Sequence, residues 1–83
     1  MKNVQFKTIK ENVKGEKYYI LFKLSIEDRE KYCIAVCDEE FSVQGLEEDF
    51  TKACEMYELI AREDASAIHL SDVVRDMQTE IFI

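Results

Sequence analysis

The sequence predicts an α+β domain: a three- to four-stranded antiparallel β-meander, about 3–10, 17–26, 31–37 and 41–43, followed by two α-helices, about 47–62 and 71–79, packed on one sheet face. Three observations predict it. Apolar residues recur with period two as far as Val43, the signature of strands with one buried face. From Leu46 onward they recur at three- and four-residue steps, the signature of amphipathic helices. The chain has 83 residues, enough for one domain only.

The second strand is the clearest. Over Tyr18–Ile26 every even position is large and apolar, whereas the odd positions decay from Tyr19 and Leu21 to Lys23 and Ser25. Alternate side chains of a strand point to opposite faces, so the even set is expected to form the core. Val4 and Phe6 place a weaker strand before it, with a turn over 12–16 around Gly15. Tyr32, Ile34 and Val36 repeat the alternation after the polar corner 27–30, and Phe41 to Val43 repeats it briefly before Gly45.

Leu46, Phe50, Ala53, Cys54, Tyr57, Ile60 and Ala61 define one stripe of the first helix. Glu47, Glu48 and Asp49 match the positive end of its dipole, and Glu58 with Arg62 makes an i,i+4 pair. Ser71 is the expected N-cap of the second helix, whose inner face is Val73, Val74 and Met77. The apolar tail Ile81–Ile83 is expected to dock on its own fold or on a partner.

Composition narrows the function. With 47% hydrophobic and 35% charged residues the chain can build a core. A net charge of -7 has the wrong sign for gripping a nucleic-acid backbone. The charge is uneven: residues 1–31 hold eight bases and five acids, residues 32–83 three bases and thirteen acids. No stretch has the order of a signal peptide, no apolar run approaches the ~20 residues of a bilayer span, and three cysteines do not make a disulfide framework. A cytoplasmic protein that contacts neither nucleic acid nor membrane is expected.

Catalysis finds little support, and no cofactor is expected. Phosphate-loop, dinucleotide and HExxH spacings are missing, and two glycines cannot build a glycine-rich cradle. Cys33 and Cys37, four apart in a strand, lie about 13 Å from each other, too far for a disulfide or a shared metal. Cys54 reads as a small core hydrophobe. The single histidine, His69, precedes a helix carrying Asp72 and Asp76 one turn apart, a candidate ligand set.

The run Ala67-Ile68-His69-Leu70-Ser71-Asp72-Val73-Val74-Arg75-Asp76-Met77, with the earlier strand Tyr32-Cys33-Ile34, resembles a family of short uncharacterised proteins from clostridia and other Firmicutes. In that family an Ile/Pro-His-Leu-x-Asp-Val-Val-x-Asp run closes the chain. Cys33 stands where a glycine is usual and Arg75 where an acid is commoner. The resemblance implies no activity, but it draws attention to His69, Asp72 and Asp76.

Two helices cover only one face of a sheet, so the other meets water or another chain. The odd-numbered set, neither charged enough for a solvent face nor apolar enough for a core, is expected to be that contact face. Its centre is Tyr19, Leu21, Cys33 and Ala35, with Lys7 and Lys23 at the rim. The expected function is a non-catalytic interaction or regulatory module, a homodimer through this face; the alternative is a small-ligand or metal-binding protein using His69, Asp72 and Asp76. On the first reading Leu21→Asp should dissociate the oligomer and leave the fold intact.

Overall fold

A computed structural model describes residues 3–80. Four strands, β1 (Val4–Lys14), β2 (Lys17–Ile26), β3 (Arg29–Cys37) and β4 (Phe41–Leu46), form one antiparallel sheet in the order β1-β2-β3-β4. Helix α1 (Phe50–Arg62) follows, then a single 3-10 turn (Ala67–His69) that runs directly into α2 (Leu70–Glu80). The predicted α+β meander with two helices is the observed fold.

The boundaries differ for local reasons. β1 continues to Lys14 because the turn is tight: Lys14 pairs with Lys17, and Gly15 supplies the positive φ of 63° that a side chain would resist. β4 runs on to Leu46, which pairs with Tyr32, so Leu46 belongs to the sheet and not to the helix stripe. Helix α1 therefore starts later than expected, at Phe50, where the Asp49 carboxylate accepts the Lys52 backbone N–H at 2.9 Å. Its first turn holds no acid. Ser71 lies inside α2 because the 3-10 turn leads the chain in from Ser66. The expected partner of Glu58, Arg62, is replaced by Lys10 at 2.6 Å. The tail Ile81–Ile83 lies outside the described residues.

The covered face of the sheet is the opposite of the expected one. Tyr19 and Leu21 are fully buried, together with Ile34, Val36 and Leu46, beneath Ala53, Met56, Tyr57, Ile60, Leu70 and Val74. The connection between β2 and β3 explains the reversal. Only Glu27 and Asp28 separate Ile26 from its partner Arg29, and Glu27 takes the left-handed φ of 56° that so short a turn demands. A two-residue connection pairs each even position of β2 with an odd position of β3: Leu21 lies opposite Ile34 and Tyr19 opposite Val36. Tyr32, Ile34 and Val36 do form core as expected, and for that reason their β2 neighbours in the core are odd-numbered. A bulge between Thr8 and Lys10 turns Ile9 toward the same core.

The end of α1 is fastened to the sheet by hydrogen bonds. Lys14 Nζ donates to the Ala61 carbonyl, Lys17 Nζ to the Asp64 carbonyl and Tyr19 Oη to the Ala65 carbonyl, at 2.7, 2.7 and 2.8 Å. The Ala61 carbonyl lies in the last turn of α1, where it also accepts the Asp64 backbone N–H at 3.2 Å, and the Asp64 and Ala65 carbonyls lie just beyond the helix. Burial pushes the Tyr19 phenol up, which keeps it protonated as the donor. Asp38 fastens the 3-10 turn, its carboxylate accepting the N–H groups of Glu40 at 2.8 Å and Ala67 at 3.0 Å.

This packing sets two expected outcomes. Leu21→Asp should unfold the chain, because it would bury an unpaired charge, and Ile34→Ala should cost about 2–5 kcal/mol; urea titration followed by circular dichroism checks both, and a folded Leu21→Asp would contradict the assignment of faces. The Glu40 and Ala67 amides hold the Asp38 carboxyl below the usual carboxylate range. A lowered folded-state pKa stabilises fully above the unfolded value of about 3.9 and is lost as pH falls through the folded one. Asp38→Ala should accordingly lower the melting temperature at pH 7, with the gap to the wild type narrowing as the pH falls below the ordinary carboxylate value of about 3.9.

Candidate interaction face

The sheet face away from the helices is apolar along its length. On β2 it carries Tyr18, Ile20, Phe22, Leu24 and Ile26, all only partly covered by their neighbours. On β1 it carries Val4, Phe6 and Val13, and on β4 Phe41 and Val43. Phe6, Phe41 and Val13 are 69%, 68% and 64% exposed. Phe6 and Phe22 touch as tilted rings with centroids 5.9 Å apart. Phe6 and Val13 on β1 lie directly opposite Leu24 and Tyr18 of β2, and Phe41 on β4 lies opposite Cys37, so the exposed apolar residues flank the partly covered column of β2 from both edges of the sheet.

Charge is held at the perimeter. Glu11, on the β1 edge, accepts the Tyr18 hydroxyl at 2.8 Å. Lys31 lies at the other side, its ammonium 2.7 Å from Glu47. To reach Glu47 its stem crosses Gly45, where a Cβ would come within 2.6 Å of Lys31 Cε. The absence of a side chain at Gly45 is what lets the lysine lie flat.

Of the residues expected at the contact face, Cys33 and Ala35 lie on the sheet side away from the helices. Both are only 4% exposed because taller neighbours overhang them. Tyr19 and Leu21 are corrected to the core, and Lys7 and Lys23 lie opposite each other on the helix-side face, where Lys23 pairs with Glu30 at 2.8 Å. The residues missed are the even-numbered set of β2 with Phe6, Val13, Phe41 and Val43. The signal for them was present: Tyr18–Phe22 is apolar at every position, so both faces of β2 are apolar whichever one the helices cover.

His69, Asp72 and Asp76 are exposed on the 3-10 turn and α2, and Asp72 pairs with Arg75 at 2.8 Å. Among the described residues no group of three or more His, Cys, Asp or Glu side chains is arranged to hold a metal ion. No helix among them is long and apolar enough to cross a membrane. Comparisons with family models, with curated proteins and with solved structures find no match to this chain.

The three thiols are free and differ in surroundings: Cys33 is buried, Cys54 partly buried and Cys37 exposed. Burial pushes the Cys33 thiol up, against a smaller opposing pull from the Lys31 ammonium. In a Cys37→Ser, Cys54→Ala background, Cys33 should react with iodoacetamide at pH 8 at least about tenfold more slowly in native protein than in guanidinium. Equal rates would place the thiol in open solvent.

Proposed function

We propose that the chain is a non-catalytic interaction module that associates with a second copy of itself through the uncovered sheet face. The supporting observation is the continuous apolar surface of Phe6, Phe22, Ile20 and Val43, with charge confined to its rim. A contact patch of that anatomy, aromatic at the centre and polar outside, is what protein interfaces present, and monomers rarely leave one exposed.

Size favours a copy of the chain as occupant. The Cα extents are 37 × 34 × 19 Å, a slab two layers thick. Four strands about 4.8 Å apart and some 30 Å long offer roughly 600 Å² of projected face, and side-chain relief brings this near the about 800 Å² per partner of a stable complex. The chain as a whole is acidic, yet most of the acids lie on the helices and turns, so two faces can meet without bringing them together.

Sedimentation equilibrium should give about twice the protomer mass of 9.8 kDa at micromolar concentration. Phe22→Asp should return it to the protomer mass with the circular dichroism spectrum unchanged, and Phe6→Asp serves if that variant does not fold. A wild-type chain at protomer mass up to millimolar concentration would refute self-association, as would full dimer mass in a folded Phe22→Asp protein.

A further inference from the structure

The two edges of the sheet are unlike. β1 is bent by its bulge and carries Lys7, Lys10 and Lys14. β4, from Phe41 to Leu46, holds no charged residue, no proline and no bulge. An edge strand leaves one row of backbone N–H and C=O groups unpaired, and charge, proline and bulges are the devices that keep such a row from pairing. Among the described residues no strand lies on the outer side of β4, where Phe41, Val43 and Gly45 are exposed and Ser42 and Gln44 half-buried.

Charge sits at the two ends of this strand. Asp38, Glu39 and Glu40 precede it, and Glu47, Glu48 and Asp49 follow it. These ends turn away a second copy. Side chains directly opposite each other in an antiparallel pair share a face, so the two registers in which β4 overlaps β4 of another copy most fully are centred on Val43 or on Gln44. The first sets Glu39 of one copy opposite Glu47 of the other, and the second sets Glu40 opposite Glu48. Like charges so placed are destabilising. The ends are also unequal: Lys31 answers Glu47 and Asp49 caps α1, whereas Glu39 and Glu40 are exposed and carry no ion pair among the described residues. Negative charge therefore weighs on the start of β4.

We infer that the outer edge of β4 takes up an extended peptide of another protein as an added antiparallel strand, uncharged along β4 and basic at its C-terminal end. Antiparallel addition continues the ladder of the sheet and carries that end past Phe41 to Glu40 and Glu39. Alternate side chains of the peptide lie beside Phe41 and Val43 on the uncovered face, which suits apolar residues; those between lie beside Ser42 and Gln44, which suits hydroxyls. This contact uses the edge and leaves the uncovered face to the self-association proposed above, on which it does not depend.

The probe is a fluorescent, amidated peptide of alternating valine and threonine ending in two lysines. By fluorescence anisotropy it should bind at least about tenfold more tightly than the same peptide ending in two glutamates. Glu39→Lys with Glu40→Lys should reverse that preference; if that variant does not fold, as judged by circular dichroism, Glu39→Gln with Glu40→Gln should abolish it. Methylating the backbone nitrogens along one edge of the peptide should remove binding, and along the other should leave it within about threefold, because an added strand pairs through one edge only. With peptide present, hydrogen exchange should slow at alternate β4 amides, those not already bonded to β3. No binding at about 1 mM peptide, equal affinity for the two endings, or the same effect of methylating either edge would overturn the proposal. Protection of those β4 amides without peptide, lost on dilution, would seat a second copy at the edge and overturn it as well.

Discussion

The two residues Glu27 and Asp28 decide which half of the sheet's apolar surface is sealed. Their number sets the parity between β2 and β3, and parity sets the companions of Ile34 and Val36. Lengthening the connection by one residue would put Ile20 and Phe22 beside them in place of Tyr19 and Leu21. The loop between β3 and β4 has three residues, 38–40, so Cys37 pairs with Phe41 and the odd positions of both strands stay together. The bulge near Ile9 makes the corresponding adjustment between β1 and β2. The composition of either face is thus the result of three short connections or irregularities acting in series.

Once parity is set, the uneven charge along the sequence acquires a use within the fold. Lysines of the first three strands reach across to the acidic second half of the chain: Lys10 to Glu58, Lys14 to Asp64, Lys31 to Glu47. Each pair is solvent-exposed and contributes little alone. Their common effect is to neutralise the perimeter in place of the open face; Lys14 also bonds the Ala61 carbonyl in the last turn of α1, and Lys17 the Asp64 carbonyl just beyond it. Of the acids that the sequence matches to the α1 dipole, Glu47 is answered by Lys31 of β3, whereas Asp49 caps the helix.

Element type was legible in the sequence because it depends on local periodicity, and both the meander and the inner stripe of Ala53, Tyr57, Ile60 and Ala61 appear as expected. The open face was legible only by halves. Choosing the more apolar side of β2 as core assumed that a sheet covers its most hydrophobic side, but the helices settle where Leu46, Ile34 and Val36 direct them. Cys33 and Ala35 came out on the open face because their own strand alternates cleanly. Tyr19 and Leu21 did not, since their face depends on pairing with another strand, a non-local fact that periodicity within β2 does not contain. His69 with its acidic neighbours is the converse case: proximity in sequence placed them on one short stretch, and the resulting side chains point into solvent with Asp72 held by Arg75.

The open face also bears on why so small a chain would leave its richer side uncovered. A domain of 83 residues buries a limited fraction of its surface, and α1 and α2 have length enough to seal only one side of the sheet. On the self-association proposed above, a second copy would supply a layer for the other side. On that proposal, burying Phe22 and Ile20 by association would tie the stability of the fold to concentration, since a partner that binds only the folded form shifts the folding equilibrium by mass action. The β1 edge is a poor competitor for a face contact. β1 is interrupted by its bulge and carries Lys7, Lys10 and Lys14 on the helix side, devices that discourage edge-to-edge pairing and the open-ended assemblies it leads to. On the proposed self-association, a face-to-face pair about a two-fold axis would close after two copies, whereas edge-to-edge pairing would leave the assembly open-ended.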